Sequence, residues 1–213
     1  MKHVYVIIVV PATILVPIIT GFVKKIYNDK LLKGMLFYLL FAALTEITSR
    51  VLGSHQINNL PLLHFYTIIE FLFILRFFQL ALNASSVIRL TRWLMVIFTV
   101  FSIFNFIFIQ SIHGFNSYPR SIAALIIIGF CLFYFFKYGG AENKKKWIYE
   151  PANWLVTGAL IYFGSSLFYF AFLNLLNQSA SPTVYFIFAY IHATLVMVMY
   201  FLFTIGFLYA KNE

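Results

Sequence analysis

The chain has 213 residues, of which 62% are hydrophobic and only 10% are charged, and its formal net charge is +9. Soluble domains are about 45–50% apolar and about 25% charged, so this composition cannot cover a water-exposed surface. It argues against a soluble enzyme, a disordered chain and a free nucleic-acid-binding protein. It indicates an integral membrane protein whose first partner is the lipid bilayer, with no nucleic acid partner.

Apolar runs of the length needed to cross a bilayer recur along the chain. A membrane-spanning helix needs about 20 predominantly apolar residues. Seven segments meet this requirement, and Lys, Gly, Asn and Pro mark the breaks between them. They are residues 4–23, 33–53, 60–82, 92–112, 119–138, 153–176 and 183–209. The sequence predicts an all-α integral membrane protein, a seven-transmembrane-helix bundle in which residues 1–213 form a single domain.

The first segment has the features of a retained helix. Lys2 precedes an apolar run, as in a signal peptide. The run is too long for a typical signal-peptide core, and no small-residue cleavage site follows it. We therefore expect a transmembrane helix here, with kinks at Pro11 and Pro17.

The distribution of basic residues predicts the orientation. Lys and Arg accumulate in the cytoplasmic loops of membrane proteins. With the N-terminus outside, most of the 15 Lys and Arg, including Lys144–Lys146, fall on the cytoplasmic side. The sequence thus predicts an outer N-terminus and a cytoplasmic C-terminus, in a bacterial inner membrane.

Several predicted spans contain polar residues, which are costly at bilayer depth. A charged side chain there costs at least ~2.5–3.5 kcal/mol on insertion scales, so each needs a partner or a purpose. In the predicted orientation most of them share the outer half of the bilayer, and this pattern predicts one polar pocket near the outer face. The predicted ligand-binding residues of this pocket are His64, Thr67, Glu70, Asn105, Tyr162 and His192. Arg76, Ser165, Ser166 and Asn174 are further polar residues in these spans.

Spacing along the helices suggests which of these residues interact. Glu46 and Arg50 are one helical turn apart, which allows an ion pair that neutralises itself during insertion. His64, Thr67 and Glu70 recur every third residue along one side of a helix, where they either line a cavity or bond to neighbouring helices. Glu70 has no cation on its own helix face.

The remaining polar residues leave alternatives open. His192 is the expected partner of Glu70, unless it is a core histidine bonded to a carbonyl. Arg120, at the start of the fifth span, either anchors to lipid headgroups or lies at the pocket mouth and attracts an anion.

A metal site is the alternative interpretation of the same residues. His64, His192 and Glu70 are potential zinc ligands, and zinc activates water for hydrolysis. Seven-span hydrolases of the ceramidase and adiponectin-receptor type carry two histidines four residues apart in the last span. Val196 stands at that distance from His192, so the signature is incomplete. The leading prediction has no cofactor and no catalytic residue.

The segment Asn59–Phe71 (NLPLLHFYTIIEF) resembles a motif of a family of small seven-span membrane proteins of Gram-negative bacteria. The resemblance continues in Phe115–Ser117 with Arg120, in Asn153–Trp154 with Gly158, and around His192. It implies a seven-helix fold and no particular activity.

Three functions follow as expectations. The first is a receptor-like or sensor protein whose pocket binds a small molecule or lipid and signals through a membrane protein partner or a homo-oligomer. The second is a small-solute or proton-coupled transporter, and the third is a metal-dependent intramembrane hydrolase acting on lipids. A fourth alternative is a subunit that binds partners through its lipid-facing surface and whose polar groups are all hydrogen-bonded within the protein.

Overall fold

The structure, a computed structural model, describes residues 4–138, 147–179 and 182–210, without the side chains of residues 171–182 and 185. It is all-helical, and it contains seven long helices. They are α1 (Tyr5–Val23), α2 (Lys30–Ser54), α3 (Leu60–Leu82), α4 (Ser85–Ile109), α5 (Ser117–Tyr138), α6 (Pro151–Ser179) and α7 (Pro182–Leu208). Lys2, Lys144–Lys146 and the side chain of Asn174 lie outside the described residues.

Among the described residues, six helical stretches are long and apolar enough to cross a membrane. They are α1 to α5 and the Phe186–Leu208 part of α7. Five of the described helices, α2 and α4 to α7, begin earlier than the apolar runs, because a helix includes polar turns that hydropathy does not detect. In α2 the side chain of Asp29 accepts hydrogen bonds from the backbone N–H groups of Leu31 (2.7 Å) and Leu32 (2.9 Å), which caps the helix at Lys30.

The first helix, α1, is interrupted near its prolines. A π-helical stretch, Tyr5–Val9, is followed by a short α-helical turn, Val10–Ala12, and then by a regular helix from Leu15 to Val23. Pro17 has no N–H to donate to the carbonyl oxygen of Thr13. That oxygen instead accepts a hydrogen bond from the N–H of Val16, three residues away, at 3.1 Å. The break therefore lies between the two prolines.

Close packing of α6 against α7 depends on small residues. A Cβ atom added to Gly158 would lie 2.9 Å from the Phe203 ring, and one added to Gly206 would lie 3.0 Å from the Pro151 carbonyl oxygen. Glycine permits this approach, as it does at many helix interfaces in membranes. α6 also packs on α5, α3 packs on α2, α4 and α5, and α1 packs on α7.

The α2–α3 and α4–α5 connections meet at one end of the bundle. Asn58 Nδ2 donates to the carbonyl oxygen of His113 (3.0 Å), and Asn59 Nδ2 donates to Ser49 Oγ (2.6 Å). The Asn58 contact joins the connections that precede α3 and α5, and the predicted site residues His64 and Arg120 lie in the first two turns of these helices.

Candidate ligand-binding site

Glu70, on α3, is the centre of a buried cluster of tyrosines. Its side chain is buried, and its Oε1 accepts hydrogen bonds from Tyr38 Oη on α2 (2.9 Å) and Tyr66 Oη on α3 (2.9 Å). Tyr162 Oη, on α6, donates to the same oxygen at 3.5 Å. We call Glu70 and these three residues the tyrosine–carboxylate cluster. It joins α2, α3 and α6 through one carboxylate oxygen.

His192, the partner expected for Glu70, has other neighbours. Its Nδ1 lies 3.1 Å from Ser165 Oγ, and its ring stacks on Tyr169 with 4.9 Å between the ring centroids. The Tyr162 ring also stacks on His192, at 5.8 Å. Tyr162 therefore lies between Glu70 and His192 and contacts both.

Arg120, in the first turn of α5, is held against α3 and α6. Its Nε donates to Thr67 Oγ1 (3.2 Å), and its guanidinium carbon lies 4.3 Å from the centre of the Phe170 ring and 5.7 Å from that of Tyr66. Thr67 also accepts a hydrogen bond from Asn116 Nδ2 (2.6 Å). This buried support fixes the position of the guanidinium group.

A cavity of about 280 Å³ lies beside the tyrosine–carboxylate cluster. Its walls come from six helices, α1, α2, α3, α5, α6 and α7. The polar residues that line it are Tyr38, Thr45, Glu46, Ser49, Tyr66, Arg120, Tyr162, His192 and Tyr200. We call it the Arg120 cavity. Glu70 is not among its lining residues, because the three tyrosines separate it from the cavity.

The other predicted pocket residues lie around the cavity or away from it. His64 Nε2 is 3.0 Å from the carbonyl oxygen of Gly114. Thr67 does not line the cavity but accepts a hydrogen bond from Arg120 Nε. Asn105 begins the π-helical end of α4 and donates to Gln110 Oε1 (3.0 Å). It is fully buried, its own Oδ1 has no hydrogen-bond partner among the described residues, and it belongs to a separate cluster.

Glu46 and Arg50 interact at the rim of the cavity. Arg50 Nη2 donates to Glu46 Oε1 one helical turn away, and both side chains are partly exposed. This is the single ion pair among the described residues. No described carboxylate therefore lies within ion-pair distance of Arg120.

Sequence reasoning missed three tyrosines of the site, Tyr38, Tyr66 and Tyr200. Tyr66 had a signal, because it lies one helical turn before Glu70. Tyr38 and Tyr200 had none, since the chain contains 14 tyrosines and 27 phenylalanines that equally fill apolar positions.

Among the described residues, no three His, Cys, Asp or Glu side chains lie close enough together to hold a metal ion. Comparisons with protein-family models, with curated proteins and with solved structures found no match to this chain. The resemblance to the seven-span family stays a prediction.

Proposed function

We propose that this chain is a receptor-like protein of a bacterial inner membrane that binds a small molecule or lipid group in the Arg120 cavity. It crosses the membrane seven times, with its N-terminus outside. The observation that carries the proposal is Arg120 itself. This cation lines the cavity, and no described carboxylate lies within ion-pair distance of it. Arg120 is partly buried. A cation that is partly removed from water is costly unless it has a partner, and a bound ligand supplies one.

The number of helices that line the cavity favours a receptor over a rigid binding site. Six helices contribute to its walls, including the interrupted part of α1 through Val10, Pro11 and Ile14. A ligand that contacts all six binds some arrangements of the helices better than others, and it shifts the population toward them. Transmission of this change requires a membrane protein partner or a second copy of the chain.

Native mass spectrometry of the protein in mild detergent tests the proposal. Ala42 is buried and lines the cavity, so Ala42→Phe fills it without removing a polar group. The adjacent Ala43 does not line the cavity, and Ala43→Phe is the matched control. We expect a bound small molecule or lipid on the wild type and on Ala43→Phe, and none on Ala42→Phe. An equal bare mass for all three folded proteins would contradict the proposal.

Elemental analysis of the same samples separates binding from the hydrolase alternative. Stoichiometric zinc in the wild type, lost in the His64→Ala, His192→Ala double variant, would replace the receptor by a metal-dependent hydrolase. Uptake of a solute by vesicles containing the purified protein would replace it by a transporter.

Cysteine labelling in spheroplasts tests the orientation. Cys131, the only cysteine in the chain, is buried and leaves a low background. Gly53 and Ser86 are exposed residues near opposite ends of the bundle. With the N-terminus outside, an impermeant maleimide labels Gly53→Cys in intact spheroplasts and labels Ser86→Cys only after lysis. The reverse pattern would contradict the orientation.

A further inference from the structure

We infer that the ligand of the Arg120 cavity is a small organic monoanion, whose carboxylate or phosphate oxygens bind Arg120 and whose apolar part lies against α1 and α7. This inference rests on the proposed function, since it names the chemical class of the ligand in the same cavity.

Arg120 is arranged for an oxyanion. Its Nε is bound to Thr67, and the Phe170 ring covers its guanidinium plane at 4.3 Å. Its two Nη groups donate to none of the described residues. They therefore remain available as a pair of parallel donors, and a guanidinium group binds carboxylate or phosphate with such a pair.

One further donor, the Tyr200 hydroxyl, faces the same cavity. The Tyr200 hydroxyl makes no hydrogen bond with a described residue. Ser165 Oγ donates its proton to the Tyr162 carbonyl oxygen (2.8 Å), so His192 Nδ1 donates to Ser165 and His192 adds no donor for an anion. A ligand with acceptor oxygens accepts hydrogen bonds from Arg120 and Tyr200 together.

The rest of the wall limits the charge and size of the ligand. The charge of Glu46 is paired with that of Arg50, so Arg120 is the one described cation that lines the cavity and its single charge matches a monoanion. The opposite wall is apolar, and its residues are Val10, Pro11, Ile14, Val196 and Met199. The volume of about 280 Å³ corresponds to roughly nine water molecules at ~30 Å³ each, so the cavity holds one small organic group, either a free acid or a single lipid headgroup.

Calorimetric titration of the purified full-length protein tests this class of ligand with two probes of the same shape. Benzoate carries a carboxylate on an apolar ring, and benzamide is its neutral counterpart. We expect the wild type to bind benzoate at least about tenfold more tightly than benzamide, since a hydrogen bond to a charged group contributes more than a neutral one. Arg120→Gln should abolish this preference.

Controls separate the role of Arg120 from a general loss of charge or of folding. Arg76→Gln removes another arginine, which donates to Gln79 away from the cavity, and it should keep the preference for benzoate. If Arg120→Gln does not fold, Arg120→Lys replaces it. Lysine keeps the charge without the parallel donors, so the preference should fall severalfold without vanishing.

The source of the anion is distinguished by native mass spectrometry of protein extracted from membranes. A retained phospholipid that benzoate displaces, and that Arg120→Gln lacks, identifies a lipid headgroup. A retained organic acid identifies a soluble ligand. Both results support the inference.

Other outcomes overturn it in distinguishable ways. Equal binding of benzoate and benzamide by the wild type, or a retained molecule that is neutral or cationic, would contradict the inference that the ligand is an anion. Neither result would contradict the proposed function. The absence of any bound molecule, together with no binding of either probe, overturns both.

Discussion

Two buried polar residues on α3, Glu70 and Gln79, differ in whether the hydrogen-bonding groups around them are all paired within the protein. Both side chains are almost completely buried. Gln79 has both ends of its amide occupied, because Arg76 Nη1 donates to its Oε1 (2.8 Å) and its Nε2 donates to Thr91 Oγ1 (2.8 Å). Thr91 Oγ1 in turn donates to the Val87 carbonyl oxygen (2.7 Å), so the hydrogen bonds of this region are closed among protein atoms.

The region of Glu70 has the opposite character. Its tyrosines satisfy the carboxylate on one side, and on the other side they line a cavity together with Arg120, His192 and Tyr200. Arg120 and Tyr200 are donors that line this cavity, and neither the Arg120 Nη groups nor the Tyr200 hydroxyl has a described partner. Burial of a polar residue in a membrane helix therefore does not identify a binding site, because hydrogen bonding between helices accounts for burial equally well. Unsatisfied donors beside a cavity distinguish the two cases.

The largest effect is expected from a substitution that disturbs the packing shared by both regions. Gly158→Leu places a side chain against the Phe203 ring, which lies 2.9 Å from the position of an added Cβ. Overpacking should lower the free energy of unfolding by about 1–3 kcal/mol. Gly164→Leu is the matched control on the same helix, where an added Cβ meets nothing within 4 Å. Denaturant unfolding in detergent measures both, and equal stability of the two variants would contradict the α6–α7 contact.

A somewhat smaller effect is expected in the closed region. Gln79→Leu removes the hydrogen bonds to Arg76 and Thr91 and should lower the free energy of unfolding by about 1–2 kcal/mol. Ligand retention should not change, because Gln79 does not line the Arg120 cavity. Loss of the bound molecule in a folded Gln79→Leu protein would contradict the claim that only the region of Glu70 takes part in ligand binding.

A pair of tyrosine variants sharpens the comparison within the site. Tyr38→Phe removes a hydrogen bond to Glu70 and should cost about 1 kcal/mol of stability. Tyr200→Phe removes a hydroxyl that has no described partner, so it should leave stability unchanged and weaken benzoate binding. Thermal unfolding and titration of both variants check this, and a larger stability loss for Tyr200→Phe would contradict the assignment.

The smallest effect is expected at the rim. Arg50→Gln breaks the partly exposed ion pair with Glu46. Such pairs contribute only about 0–1 kcal/mol and are screened by salt. Unfolding at low and high ionic strength measures this contribution, and a loss of several kcal/mol would show that the pair has a structural role.

The sequence predicted the number and approximate positions of the helices better than the residues at which they begin and end. Apolar runs of about 20 residues locate helices in a chain of this composition, and the runs coincide with the central parts of α1 to α7. The start of α4 was misplaced, because hydropathy marks apolar residues and Arg89 and Arg92 belong to its polar first turns.

The site could be predicted only in part. The cost of burying polar groups in a bilayer singled out Glu70 and His192 without any knowledge of the fold. Arg120 was expected either to anchor to lipid headgroups or to lie at the pocket mouth. The partners of these residues could not be found in the same way, since spacing reveals neighbours within one helix and not between helices. His192 was therefore assigned to Glu70, whereas tyrosines from three helices occupy the carboxylate.

The difference between the two regions is tested most directly by ligand retention in Glu70→Gln and Gln79→Leu, measured by native mass spectrometry beside the wild type. An amide in place of the Glu70 carboxylate disturbs the tyrosines that line the cavity and preserves side-chain size. We predict that Glu70→Gln folds with normal yield and loses the bound molecule, whereas Gln79→Leu keeps it. Retention of the molecule by folded Glu70→Gln, or equal loss of yield and ligand in both variants, would contradict the account.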